Sequence, residues 1–210
     1  MMSAMADYGQ PLSEHDLDED PVRQFARWFE QAREAAITFP EAAALATASA
    51  DGAPSARMVL VKGFDAAAGF SFYSNYASRK GRELAENPRA ALLFHWEPLG
   101  RQVRIEGAVE RTSAEDSAAY VRSRARASQL SALASPQSEV IGSREELEQR
   151  VAEIARRHGD ATTLPLPEGW GGFRLTAATF EFWQQRRDRL HDRLRYRRSA
   201  GDWLIERLAP

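Results

Sequence analysis

The sequence predicts a mainly β, α+β fold: an antiparallel barrel or sandwich with flanking helices. Three observations predict it. From Ala42 onward, short runs alternate apolar and polar residues with a period of two, punctuated by turn residues such as Asp51-Gly52. Runs at helical spacing flank them, opened by Ser or Asp in capping positions. No internal repeat or linker divides the chain, so residues 20–210 read as a single domain behind a flexible tail at 1–19.

The tail is acidic and aperiodic, with Tyr8 as a candidate functional contact. Asp20-Pro21 then supplies a cap followed by proline at the first helical position. Val22, Phe25, Trp28, Phe29, Ala32 and Ala36 recur on one face, predicting a helix to about Phe39. Residues 44–50 and 55–62 read as a hairpin, with Met58 and Leu60 facing one way and Arg57, Val59 and Val61 the other. Further strands are predicted at 69–74, 90–96 and 102–110. Between the first two of these, Ser78 caps a helix that Asn87-Pro88 stops. Residues 113–124 and 143–158 are predicted helical, each opened by Ser. The second closes at Gly159 and offers Leu147, Val151 and Ile154 as a buried face. After a Pro-Leu-Pro and Gly-rich loop come a strand over 173–183, expected to break near Ala177, and another over 190–198. A Gly201-Asp202 turn leads into residues 203–208.

Composition narrows the function. With 43% hydrophobic residues in 210, the chain can bury a real core. A net charge of -2 argues against a general nucleic-acid coat. The absence of cysteine excludes disulfides and thiolate metal sites, and His15, His95, His158 and His191 lack metal-ligand spacing, so no metal is expected. With no bilayer-length apolar run and no signal-peptide core, a cytoplasmic protein with no membrane partner is the expectation.

The cationic residues are local. Seven arginines between Glu181 and Arg198 surround His191-Asp192. Such a strand alone is a solvated edge, but guanidiniums packed this closely call for anions, and arginine's planar fork suits phosphate. Upstream, Ser78-Arg79-Lys80 places two cations at a helix start, where free backbone N–H groups already favour anions. Tyr120, Arg124 and Ser128 recur every four residues and would share a helical face.

These stretches, in order, resemble the pyridoxamine (pyridoxine) 5'-phosphate oxidase family from about Asp20 to Pro210. The resemblance is carried by Arg57-Met-Val-Leu-Val-Lys62, Phe72-Tyr-Ser-Asn75, Ser78-Arg79-Lys80, Asn87-Pro88-Arg89 and Arg101-Gln102-Val103. Gln137-Ser138, Trp170-Gly171-Gly172-Phe173-Arg174, Phe182-Trp183 and Arg189-Leu190-His191-Asp192-Arg193 complete it. It implies an FMN-binding split β-barrel, a homodimer with flavin across the interface. The activity implied is oxidation of pyridoxamine or pyridoxine 5'-phosphate to pyridoxal 5'-phosphate, with dioxygen as acceptor and hydrogen peroxide as product. The implied FMN contacts are Arg57, Met58, Val59, Leu60, Val61, Lys62, Tyr73, Ser74, Arg79, Lys80, Gln102, Gln137, Ser138, Trp183 and Arg193. The implied substrate contacts are Lys62, Tyr120, Arg124, Ser128, Arg189, Leu190 and His191, with Arg189 and His191 as the catalytic pair. Physical chemistry agrees that two phosphorylated molecules need two basic pockets, and that Trp183 and Gln102 suit an isoalloxazine's wall and polar rim.

Three departures stand out: the basic segment 184–188 where glycine is common, the lack of Pro and Asp in 124–128, and no arginine before Tyr8. The alternative reading keeps the barrel but makes the protein a flavin- or deazaflavin-dependent reductase with another substrate, since fold does not fix function. A polyanion binder is the weakest reading for a net-negative chain.

Overall fold

The computed structural model of the chain describes residues 10–67, 69–161 and 164–210; Tyr8 lies outside them. Five α-helices and eight strands are defined among these residues. In order they are α1 (Pro21–Glu34), β1 (Ala42–Ala48), β2 (Pro54–Asp65), β3 (Gly69–Asn75), α2 (Arg79–Glu86), β4 (Arg89–Trp96) and β5 (Arg101–Arg111). Then come α3 (Ala114–Ser123), α4 (Arg126–Ala134), α5 (Arg144–His158), β6 (Trp170–Gln184), β7 (Asp192–Ser199) and β8 (Asp202–Arg207).

All strand pairings are antiparallel, in the order β3-β2-β1-β4-β5-β6-β7-β8, and a further β3–β6 pairing closes the first six into a barrel. The long strand β6 explains the shape. Its first half, from Trp170 to Leu175, pairs with β3, whereas Thr179–Gln184 pairs with β7, so the sheet leaves the barrel partway along one strand. The register against β5 shifts between Glu106 and Gly107, with Ala178 as the extra residue. That bulge is where the break near Ala177 was expected; the strand continues through it because a bulge turns a ladder without ending it. Gly107 makes the close approach possible, since a Cβ there would lie 2.0 Å from the Thr176 carbonyl oxygen.

The core is aromatic. Fully buried Phe25 of α1 plugs one end of the barrel, its ring 4.8, 5.0 and 4.9 Å from those of Phe64, Phe70 and Phe94. Burial of each such ring contributes about 2 kcal/mol, and edge-on geometry adds about 1 kcal/mol per pair. The helical stripe read from the sequence is thus core packing.

Three expectations are corrected. Helix α1 stops at Glu34 rather than near Phe39, because Ala36 turns left-handed at φ +54°. Helix α5 is capped as read, with Ser143 accepting from the Glu146 N–H, but Leu147, Val151 and Ile154 are only half-buried. It packs on α4 at the periphery, not on the barrel core. The last long strand starts at Asp192, not Leu190, because a one-turn 3₁₀ helix at Arg187–Arg189 intervenes. No helix among the described residues is long and apolar enough to cross a membrane.

Candidate functional site

Two constellations stand out, and the first is built around α2. Ser78 caps the helix, its Oγ accepting the Gly81 N–H at 3.3 Å. Gly81 must be glycine, since a Cβ would lie 2.2 Å from the Tyr76 carbonyl oxygen. This close seating turns Lys80 inward, where it is 8% exposed. Its Nζ donates to Ser74 Oγ at 2.8 Å, Gln137 Oε1 at 3.2 Å and Ser78 Oγ at 3.3 Å, all neutral acceptors. Burial, and then the charge of Arg57, push the Lys80 ammonium down to about 8, against the pull of Glu83.

Beside it, Arg57 and Arg79 share a single buried carboxylate, Glu83. Arg79 Nε donates to Glu83 at 2.8 Å, Arg57 Nη2 at 3.2 Å, and Ser55 and Thr47 hydroxyls also donate. Burial raises the Glu83 pKa, but these four donors overrule it and bring it to about 2. A cationic excess therefore remains around the helix start, as a phosphate would require.

Lys80, Ser74 and Gln137 open into a cavity of about 380 Å³, whose wall includes Met58, Val59 and Leu60. Its far side carries Tyr73, Tyr120 and Trp170, with Tyr73 and Tyr120 stacked at 3.8 Å. The Arg124 guanidinium lies 5.5 Å from the Trp170 ring. The route to this arrangement differs from the sequence reading. Arg124 is extended, with ψ 150°, and separates α3 from α4, so Tyr120, Arg124 and Ser128 do not share one helical face. Tyr120 and Arg124 still reach the cavity; Ser128, in the first turn of α4, does not line it. The corner is pinned by buried Gln129, whose Nε2 donates to the Arg124 carbonyl at 2.7 Å.

The second constellation crosses β5, β6 and β7, where Gln102 faces Trp183 and Trp183 faces Arg193 in register. The His191 ring sits 4.6 Å from that of Trp183. Its Nδ1 accepts the Arg186 backbone N–H at 3.1 Å, so the neutral ring carries its proton on Nε2. Arg189 and Leu190 are exposed on the turn before it, and both Asp188 and Arg189 adopt left-handed φ, +58° and +60°.

The seven-arginine cluster does not await external anions as a whole. Arg193 forks onto Glu181 at 2.8 and 3.2 Å, while Arg195 and Arg197 both hold Glu206. Alternation along β7 brings these guanidiniums against carboxylates on neighbouring strands. Among the described residues, Arg187 and Arg189 alone of the seven make no side-chain hydrogen bond or ion pair.

Of the remaining candidates, Lys62 pairs with Glu41 at 3.2 Å and lines a smaller cavity shared with Tyr73. Val61 is buried in the core, and Ser138 follows Gln137 at φ +73°. Neither Gln102, Trp183, Arg189, Leu190, His191 nor Arg193 lines the Lys80 cavity. Sequence reading missed Glu83, although its spacing of four from Arg79 was a visible signal. It also missed Trp170 as a cavity wall and Glu181 as the partner of Arg193, which only the fold brings together.

Comparison with known proteins places the chain. Residues 29–158 match the family model described as pyridoxamine 5'-phosphate oxidase, and residues 170–210 match the pyridoxine 5'-phosphate oxidase C-terminal dimerisation region. A pyridoxine/pyridoxamine 5'-phosphate oxidase of Salinibacter ruber is 52% identical, with both chains covered in full. Its namesake from Rubrobacter xylanophilus is 55% identical over 95% of this chain and 91% of that protein. Among solved structures, PhzG from Burkholderia lata 383, in complex with tetrahydrophenazine-1-carboxylic acid, superposes with a TM-score of 0.89 at 33% identity. The match covers 97% of this chain and all of PhzG. The chain belongs to the pyridoxamine 5'-phosphate oxidase family of FMN-dependent oxidoreductases.

Proposed function

We propose that the protein oxidises pyridoxamine 5'-phosphate and pyridoxine 5'-phosphate to pyridoxal 5'-phosphate, with dioxygen as the electron acceptor and hydrogen peroxide as the product. The observation that carries this reading is the cationic excess at α2. Buried Lys80, with only neutral acceptors, lines a cavity that also carries Tyr120 and Arg124, while beside it Arg57 and Arg79 share the one carboxylate of Glu83. The donor set fits FMN: charge for a phosphate from Lys80, Arg57 and Arg79, and hydroxyl and amide groups of Ser74 and Gln137 for a polyol chain. Met58, Val59 and Leu60 offer an apolar edge, and Met58 is 64% exposed on the barrel surface, suited to cover by a second subunit.

The chemistry FMN supplies when bound is acceptance of a hydride from the substrate carbon attached to the pyridine ring, followed by transfer of two electrons to dioxygen. The chain's residues bind and orient. Tyr120 and Arg124 hold the substrate phosphate, with Lys62 and Ser128 as further candidate contacts. Arg189 and the Nε2–H of His191 face the substrate as donors, steadying negative charge on its oxygen substituents. His191 Nδ1 is already committed to Arg186, so the ring serves as a hydrogen-bond donor rather than a base. Because Gln102, Trp183, His191 and Arg193 lie apart from the cavity within one chain, a homodimer in which each subunit completes the other's flavin site accounts for both constellations.

Purified protein should be yellow and should consume oxygen with pyridoxine 5'-phosphate, forming aldehyde and peroxide in equal amounts. Colourless protein that FMN cannot reconstitute would end the proposal. The likeness to PhzG favours one second reading, a flavin oxidase acting on a phosphate-free ring. Loss of turnover in Arg124→Ala with the phosphorylated substrate, and none with unphosphorylated pyridoxine, separates the two.

A further inference from the structure

We infer that Asp192 is a positioning residue that ties the chain's N-terminal segment to the turn bearing Arg189 and His191. The inference rests on the reading of those two residues as substrate contacts. The half-buried Asp192 carboxylate is a three-way junction. Oδ2 accepts the Leu12 backbone N–H at 3.1 Å and lies 3.6 Å from Arg186 Nε, while Oδ1 accepts from Arg207 Nη1 at 2.8 Å. Arg207 in turn grips the N-terminal segment through the Leu12 carbonyl and both Glu14 oxygens, each at 3.0 Å. Leu12 is buried, and Tyr196 OH donates to the Asp18 carbonyl at 2.7 Å, so residues 12–18 lie strapped along β7 and β8.

On the other side of Asp192, Arg186 donates its backbone N–H to His191 Nδ1. Arg186 thus receives its side-chain restraint from Asp192 and passes a restraint to the imidazole. The turn between them needs one. Asp188 and Arg189 both hold left-handed backbone without glycine, a conformation that persists only where surrounding contacts over-determine it. The junction supplies those contacts and fixes the tautomer and angle of His191 from outside the cavity.

The FMN-loaded protein tests this with pyridoxine 5'-phosphate as substrate. Asp192→Ala should lower kcat/KM roughly tenfold to a hundredfold, with FMN affinity by flavin fluorescence unchanged. Asp192→Asn, which keeps one acceptor oxygen, should recover part of the loss. Arg207→Gln should lower kcat/KM as well, and the double variant Asp192→Asn/Arg207→Gln should be no worse than the poorer single, because both cut one junction. Additive losses, or unchanged kcat/KM in Asp192→Ala, would overturn the inference. His191→Asn and Arg189→Ala run alongside. If these two leave turnover intact, the assignment of the turn to substrate fails; if they depress it while Asp192→Ala does not, the junction alone fails.

Discussion

The α2 pocket and the Arg187–Arg189 turn both present cations, yet they are held in opposite ways. At α2 the cations sit against a buried carboxylate, on a helix seated by a glycine against a neighbouring carbonyl, with every donor directed by regular structure. At the turn, Arg189 projects without a carboxylate partner from left-handed backbone within a one-turn 3₁₀ helix. The first arrangement suits a ligand that stays bound, because it stores little strain and loses little entropy when occupied. The second suits a ligand that comes and goes, where donors must be available and unpaired until a substrate meets them.

The sharpest way to break this contrast is at Glu83. Glu83→Ala would leave Arg57 and Arg79 without their shared anion and should destabilise the apoprotein by about 3 kcal/mol, read from the denaturant midpoint. FMN should then stabilise the variant more than it does the parent, since its phosphate supplies the missing charge. The acid limb follows in sign. Glu83 titrates at about 2 when folded, against an ordinary 4.5, so its contribution is complete above 4.5 and is lost as pH falls toward 2. A Glu83→Gln variant should lose that part of the acid dependence.

Lys80 gives the next effect. It titrates at about 8 rather than 10.5, so a phosphate meets an ammonium below 8 and a growing fraction of neutral amine above it. FMN affinity should fall by up to about tenfold per unit as pH rises past 8, one proton being taken up on binding. Lys80→Met should bind FMN weakly and lack this alkaline dependence in a fluorescence titration. An equally steep alkaline fall in the variant would assign it elsewhere.

How far the sequence revealed these two regions differs for the same physical reason. The α2 pocket was legible, because caps and helix starts are local: Ser78, Arg79, Lys80 and the Asn87-Pro88 stop lie within eleven residues. The strands were legible through alternation, and the caps at Asp20, Ser113 and Ser143 through their side chains. The pairing of Arg193 with Glu181 and of Asp192 with Leu12 was not, because those partners meet only through strand register and a contact 180 residues apart in sequence. Spacing misled at Tyr120, Arg124 and Ser128, where a period of four implied one helix but the backbone extends at Arg124. It also misled at α5, whose apolar stripe is real but, among the described residues, packs mainly against α4.

A pair of substitutions sharpens the division within the second constellation. His191→Asn should keep FMN bound while lowering turnover or raising KM, since the imidazole packs beside Trp183 and, in the proposed reading, offers Nε2–H to substrate. Arg193→Ala should weaken FMN retention instead, with a stability cost of only about 1 kcal/mol, because Glu181 keeps Arg104 at 2.9 Å. Equal loss of flavin in both variants would merge the two proposed roles, which belong to the turn before β7 and to β7 itself.

The smallest effect tests whether the turn's conformation is itself part of the site. Asp188 at φ +58° costs about 1 kcal/mol relative to relaxed backbone. Asp188→Gly would relieve that cost, but glycine also frees the unfolded chain by a comparable amount, about 0.5–1 kcal/mol. The two terms oppose, so the thermal midpoint should hardly move. The folded turn, however, gains access to conformations that an Asp side chain forbids, and Arg189 loses its fixed direction. KM for the phosphorylated substrate should therefore rise severalfold at constant stability and constant FMN affinity. An unchanged KM would mean that the turn is held by its ends alone, and that its left-handed residues are tolerated without aiming Arg189.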